Sequence, residues 1–191
     1  MECNKKFGFT AEQTLNIVQK LYEQKLVTYP RVDTTYLSDD IYPKIEGTLR
    51  NLTAYAEFTT TLLGKPIRKS KKVFNNKKVT DHHAIIPTGV QSSGLPDDFH
   101  KVYDTITRRF ISVFYPDCKV SNTTVVGKVT DTEFKATGKQ ILSPGWRELY
   151  SKTEKEQQTK DENKEQVMPV FEKGESGPHT PELQEKKTKA P

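Results

Sequence analysis

The sequence is short of cysteine, of long apolar runs and of repeated segments, and each shortage excludes something. Cys3 and Cys118 are its two cysteines, too few for a disulfide framework or a zinc site of cysteine type. A reducing, cytoplasmic setting is therefore expected. No stretch comes near the roughly 18 apolar residues that a membrane-spanning helix needs. The opening MECNKKFGFT has no apolar region of the signal-peptide kind. No internal repeat is visible. Acid is missing altogether from residues 65–80, which carry Lys65, Arg68, Lys69, Lys71, Lys72, Lys77 and Lys78.

What is present fits one sizeable domain, or one domain and part of a second: 191 residues, 33% hydrophobic and 29% charged. The net charge of +5 is unevenly placed. Residues 1–150 hold 22 Lys and Arg against 16 Asp and Glu, whereas residues 151–191 hold 8 against 9. A basic run such as 65–80 suits a polyanion, nucleic acid above all, or else is a solvated surface loop.

Periodicity sets the expected elements. Thr10 and Gln13 have capping-box spacing ahead of Leu15, Val18, Leu21 and Tyr22, which predicts a helix over about 10–25 with those four on its apolar face. An extended segment follows at 26–37, where Pro30 disfavours helix at Tyr29. Ser38, Asp39 and Asp40 suit the start of a second helix with Ile41, Ile45, Leu49 and Leu52 inward. Pro43 is tolerable there only in the first turns. A shorter helix is expected at 54–63, a loop or short hairpin at 65–80, and a strong amphipathic helix at 97–115. Segments 119–129 and 132–142 are rich in Val, Thr and Phe and read as strands. Residues 151–166 contain no apolar side chain and read as a solvated loop or disordered insertion. Residues 167–175 read as one more strand, and the tail from 176 as a linker.

Two short segments carry chemistry. In Thr28-Tyr29-Pro30-Arg31-Val32-Asp33 an extended backbone puts Tyr29, Arg31 and Asp33 on one side. A phenol, with a pKa of about 10, is a weak nucleophile at neutral pH. A guanidinium beside it favours the phenolate and fits the oxygens of an attacked phosphate, and Asp33 can hold that guanidinium in place. The alternative is a packed tyrosine beside a surface ion pair. In Asp81-His82-His83-Ala84-Ile85-Ile86-Pro87-Thr88, adjacent histidines point to opposite faces, so they are not joint ligands of one metal. One of them can meet a phosphate while the other packs inward, or both can be structural.

Taken together, LVTYPRVDTTYLSDD and, some fifty residues later, DHHAIIPT resemble the active-site region of type IA DNA topoisomerases, and most of all the bacterial topoisomerase III subfamily. LSPGWRELY and FEKGESGP are also similar to that subfamily, so the resemblance runs along nearly the whole chain. It implies an α+β fold: a mainly helical, winged-helix-like (CAP-like) tyrosine domain over 1–115, a partial β-rich arch domain over 116–175 and a linker over 176–191. It implies that Tyr29 attacks a phosphodiester of single-stranded DNA and forms a 5′-phosphotyrosyl link. Arg31 would stabilise phosphate and phenolate, and His82 would contact the scissile region. Asp33, His83 and Thr88 would be supporting residues. Lys69, Lys71, Lys72, Lys77 and Lys78 would face DNA, which rests on charge. The implied setting is cytoplasmic and nucleoid-associated, without a membrane.

The chain departs from the family pattern in one respect. It starts 28 residues before Tyr29 and has no Asp-x-Asp pattern, whereas the family has an N-terminal metal-binding (Toprim) domain that supplies acids and a lysine next to the tyrosine. The expectation is therefore a fragment with no metal site or cofactor of its own and little activity alone. Mg²⁺ and the remaining domains would be its partners in the full-length enzyme. A non-catalytic nucleic-acid-binding module is the competing reading, and a bare α+β interaction domain a third.

Overall fold

The computed structural model describes residues 1–150 and 167–178. These divide into two compact units: 1–119 with 142–150, and 120–141 with 167–178. The expected insertion at 151–166 and most of the expected linker at 176–191 lie outside the described residues.

The first unit is mainly helical, with α1 (Glu2–Phe7), α2 (Ala11–Glu23), α3 (Tyr42–Asn51), α4 (Ala56–Leu63) and α5 (Asp97–Ser112). The capping box expected at the start of α2 is formed: Gln13 N–H donates to Thr10 Oγ1 at 3.1 Å, and Thr10 N–H donates to Gln13 Oε1 at 2.9 Å. The second helix starts with a 3-10 turn, Asp39–Ile41, and Pro43 sits in the first turn of α3, where its missing N–H costs nothing. Asp97 and Asp98 stand at the positive end of α5, where both also reach Lys101.

The core is drawn from all of these elements. Val18 and Leu21 of α2 are buried, and α2 packs on α5, which contributes Val102, Tyr103, Phe110 and Ile111. Ile45, Leu49 and Leu52 are buried as expected, and Leu149 closes the base from a 3-10 turn over Gly145–Tyr150. Two members of the apolar set expected for α2 are not in the core: Leu15 and Tyr22 are exposed. The buried stripe of this helix is narrower than its apolar pattern, because Leu15 borders an open apolar cleft with Phe9, Val18 and Pro30.

The Thr107 hydroxyl is buried without a hydrogen-bond partner, but the charged groups beside it are paired. Asp104 receives both carboxylate contacts from Arg108 Nε at 2.9 Å, and accepts from Tyr55 Oη at 3.2 Å. Arg108 also donates to the Leu149 carbonyl and lies over the Phe58 ring. One guanidinium thus ties α4, α5 and the last turn together. Gly145 is needed at its position: its φ is 52°, and a Cβ there would meet the Pro116 carbonyl oxygen at 2.5 Å.

The second unit is a two-stranded ribbon. β1 (Lys119–Val129) and β2 (Thr132–Ser143) match the strands expected from the Val/Thr/Phe pattern. Thr130 and Asp131 form the two-residue loop, with Thr130 at a φ of 52°. That is an unfavourable value for a β-branched residue, at a place where hairpins usually carry Asn or Gly. Val126, Phe134 and Leu142 stand exposed along the ribbon. The third strand expected at 167–175 is not formed: 167–178 is irregular, with a turn at 173–174. Pro169 has no N–H to give a ladder, and Gly174 turns the chain at a φ of 91°.

Candidate active site

The site is built on the exit from α2. The helix ends in a Schellman arrangement, with Leu26 N–H bonded to Leu21 O at 2.9 Å and Lys25 N–H to Tyr22 O at 2.8 Å. Lys25 takes the left-handed position at a φ of 63°, where glycine is usual. This turn sends residues 26–28 alongside 84–88. Thr28 N–H donates to Ile86 O at 2.9 Å, Thr88 N–H donates to Leu26 O at 3.0 Å, and Val27 and Pro87 form an antiparallel bridge. The Thr28 hydroxyl accepts from Ile86 N–H at 3.0 Å. On its other side, the second segment is fixed by Ala84 N–H donating to Tyr36 O at 2.9 Å.

These short pairings bring together two side chains that are 53 positions apart in the chain. The rings of Tyr29 and His82 lie with centroids 4.5 Å apart, inclined at 40°. Tyr29 is half-buried and His82 is exposed, so the pair is open to solvent. On the other flank, Tyr22 meets Tyr29 edge to face at 5.5 Å. Sequence periodicity assigns Tyr22 to the core of α2. Its exposure of 39% and its ring contact make it part of the site. Its place one helical end before the Tyr29 turn was the available signal.

The other expected residues fall into different settings. Arg31 and Asp33 are both exposed. The ion pair expected between them is not formed among the described residues. The segment 28–36 has no strand ladder to hold its side chains in register, so i and i+2 need not share a face. His83 is half-buried, and its Nδ1 lies 2.7 Å from Ala84 O. A backbone carbonyl can only accept, so the ring donates from that nitrogen. The two histidines thus do take different surroundings. Asp40 is held below the usual carboxylate range, first by a hydrogen bond from Ser38 and in smaller part by His83. The Thr88 hydroxyl bonds the carbonyls of Lys25 and Leu26, which fixes the turn that aims Tyr29.

The basic stretch is an irregular loop with a 3-10 turn at Asn76–Lys78, fastened to the segment after Tyr29. Leu37 N–H donates to Val73 O at 2.8 Å, Asn75 N–H donates to Leu37 O at 2.9 Å, and Thr34 Oγ1 donates to Lys78 O at 2.6 Å. Lys69 is paired with Asp39 at 2.7 Å. Lys78 Nζ donates to Tyr36 Oη at 3.1 Å and lies over that ring. Lys71, Lys72 and Lys77 are exposed. Phe74 packs inward against Tyr42 and Phe114 and is not a stacking platform. Among the described residues no group of three His, Cys, Asp or Glu is placed to hold a metal ion.

A sequence model of the DNA topoisomerase family matches residues 1–191. The chain is 42% identical over 180 residues to a DNA topoisomerase 3 from Bacillus cereus, covering 92% of this chain and 25% of that protein. It is 38% identical over 180 residues to a DNA topoisomerase 3 from Bacillus subtilis, with the same coverage. The chain thus spans about a quarter of the length of the curated relatives it matches. Among solved structures, full-length topoisomerase I from Thermotoga maritima is similar at 25% identity and a TM-score of 0.58, over 90% of this chain and 27% of that one.

Proposed function

From the premise that this chain belongs to the DNA topoisomerase family and is similar to type IA topoisomerase III, we propose that it is the tyrosine-bearing portion of an enzyme that cuts and rejoins single-stranded DNA. The observation that carries this reading is the contact between the Tyr29 and His82 rings, 4.5 Å apart on an open surface. The Tyr29 phenolic oxygen attacks a backbone phosphorus and forms a 5′-phosphotyrosyl bond, and the strand's 3′-oxygen leaves as a hydroxyl once it has gained a proton. In the reverse step that 3′-hydroxyl attacks the phosphotyrosyl bond and releases Tyr29. One phosphodiester replaces another in each direction, so no nucleotide hydrolysis is required.

His82 touches the ring that reacts and serves as hydrogen-bond donor or proton carrier at the phosphate. Arg31, exposed two residues on, supplies charge to the phosphate oxygens. Asp33 and His83 support the surroundings, and Thr88 acts through the turn at Lys25. Lys71, Lys72 and Lys77 offer free charge to the DNA backbone, while Lys69 and Lys78 also brace the loop that carries them. Among the described residues no group is placed to hold a metal ion, and Mg²⁺ would be held by other parts of a longer enzyme.

Residues 1–115 act in this reading as the winged-helix-like tyrosine domain, 116–175 as part of the β-rich arch and 176–191 as a linker. Among the described residues no helix is long and apolar enough to cross a membrane. The enzyme of this reading is nucleoid-associated, relaxes negative supercoils and separates linked DNA. A chimera tests the proposal: this segment replaces the matching quarter of the Bacillus cereus relative, and relaxation of negatively supercoiled plasmid with Mg²⁺ is followed. Relaxation by the chimera, its loss in Tyr29→Phe with DNA binding kept, and none by the isolated chain are expected. Full relaxation by the Tyr29→Phe chimera would leave the non-catalytic binding module as the better reading.

A further inference from the structure

Resting on the reading of Tyr29 as the residue that takes the strand, we propose that the cleft next to it seats one nucleotide of that strand, with the base on an apolar floor and the phosphate between Lys72 and Arg109. The cleft measures about 410 Å³, within the range of small-ligand sites. Val32, Ile86, Phe110 and Val113 supply its apolar surface. An unpaired base presents a flat π-face to such a surface, and stacking tolerates any base. Lys72 from the basic loop and Arg109 from α5 line the same cleft.

Continuity with the Tyr29 site favours a nucleotide of the reacting strand as the occupant. Val32 is three residues after Tyr29, so their Cα atoms are at most about 11 Å apart. Ala84, Ile85 and Ile86, also in the lining, follow directly on His82 and His83. Charge points the same way. Arg108 is committed to Asp104 and to the Leu149 carbonyl, Lys69 to Asp39 and Lys78 to Tyr36. Arg109 and Lys72 are exposed, and neither takes part in an ion pair among the described residues. The two cations in the cleft are thus ones whose charge no acid of this unit meets.

The intact chain is titrated with fluorescein-labelled oligothymidylate and with an abasic oligonucleotide of equal length and charge, over a series of salt concentrations. The thymidylate is expected to bind roughly five- to hundredfold more tightly, as one stacked base gives. Val113→Phe, which fills the cleft, removes that preference and leaves the salt dependence. Arg109→Glu, at an exposed position without an ion pair among the described residues, weakens binding of both oligonucleotides and lowers the slope of log affinity against log salt by roughly 0.7 for each phosphate that is no longer neutralised. A base preference that survives Val113→Phe, or binding of both oligonucleotides that Arg109→Glu leaves unweakened, overturns the seat. Equal binding of the two oligonucleotides by the unaltered chain overturns it as well, while the reading of Tyr29 stands. Absence of salt-dependent binding to either oligonucleotide overturns both.

Discussion

The helical unit and the β ribbon are both legible as elements in the sequence, yet they bury their apolar side chains differently. In α5 the spacing of Val102, Tyr103, Phe110 and Ile111 places four side chains in one core. In the ribbon the Val, Thr and Phe content is that of strands, but Val126 and Phe134 stand in solvent. A helix of the first unit meets other helices and completes a core. A pair of strands has two faces and two edges, and on its own is marginal in water. The difference teaches that residue type and spacing fix the type of an element, while burial depends on what is present to cover it. It also separates roles: the unit with the core positions Tyr29, His82 and Tyr22, and the ribbon presents an uncovered apolar surface.

Substitution by alanine in the two regions gives the largest contrast. Ile111→Ala, in the buried face of α5, should lower stability by about 2–5 kcal/mol in chemical denaturation. Val126→Ala on the ribbon should stay within about 0.5 kcal/mol. Equal losses would show that the ribbon is covered in solution.

Alkaline pH should act on one region alone. Burial raises the phenols of Tyr55, Tyr103 and Tyr115 above their ordinary value, with Asp104 adding to the shift at Tyr55. β1 and β2 contain no tyrosine. A phenol whose pKa is raised on folding contributes stability below its unfolded value, near 10, and loses it progressively as pH rises above that. Thermal melts from pH 8 to 11 should therefore show the helical unit weakening above about pH 10, with no matching change in the ribbon.

Tyr22 gives the smallest effect. Its edge-to-face contact with Tyr29 is worth about 0.5–1.5 kcal/mol. Tyr22→Leu in the chimera should slow cleavage by roughly three- to tenfold, and Tyr22→Phe should restore it. A loss that Phe does not restore would assign the work to the hydroxyl and not to the ring.

Much of this was legible in the sequence where the determinants are local. The Thr10–Gln13 box, Pro43 in a first turn and the two strands each depend on residues within one element. The features that were not legible depend on distant partners. The alignment of 26–28 with 84–88 is set by pairings across some sixty residues, and without it the Tyr29–His82 contact has no local signature. Leu15 and Tyr22 share the spacing of buried neighbours, but Leu15 borders an open cleft and Tyr22 turns to the half-buried Tyr29 ring. Asp33 has the spacing to meet Arg31, yet without a strand ladder that spacing fixes no direction. Arg108 meets Asp104 by the local i,i+4 spacing of α5, but its bond to the Leu149 carbonyl, 41 residues on, has no local signature.

The central claim is that Tyr29 takes the 5′ end of a broken strand. The direct measurement is mass spectrometry of the denatured chimera after reaction with a single-stranded oligonucleotide and digestion by nuclease and trypsin. A 5′-phosphonucleoside carried by the peptide containing Tyr29 is the expected result. A covalent nucleotide on any other residue, or an adduct that persists in Tyr29→Phe, would contradict it.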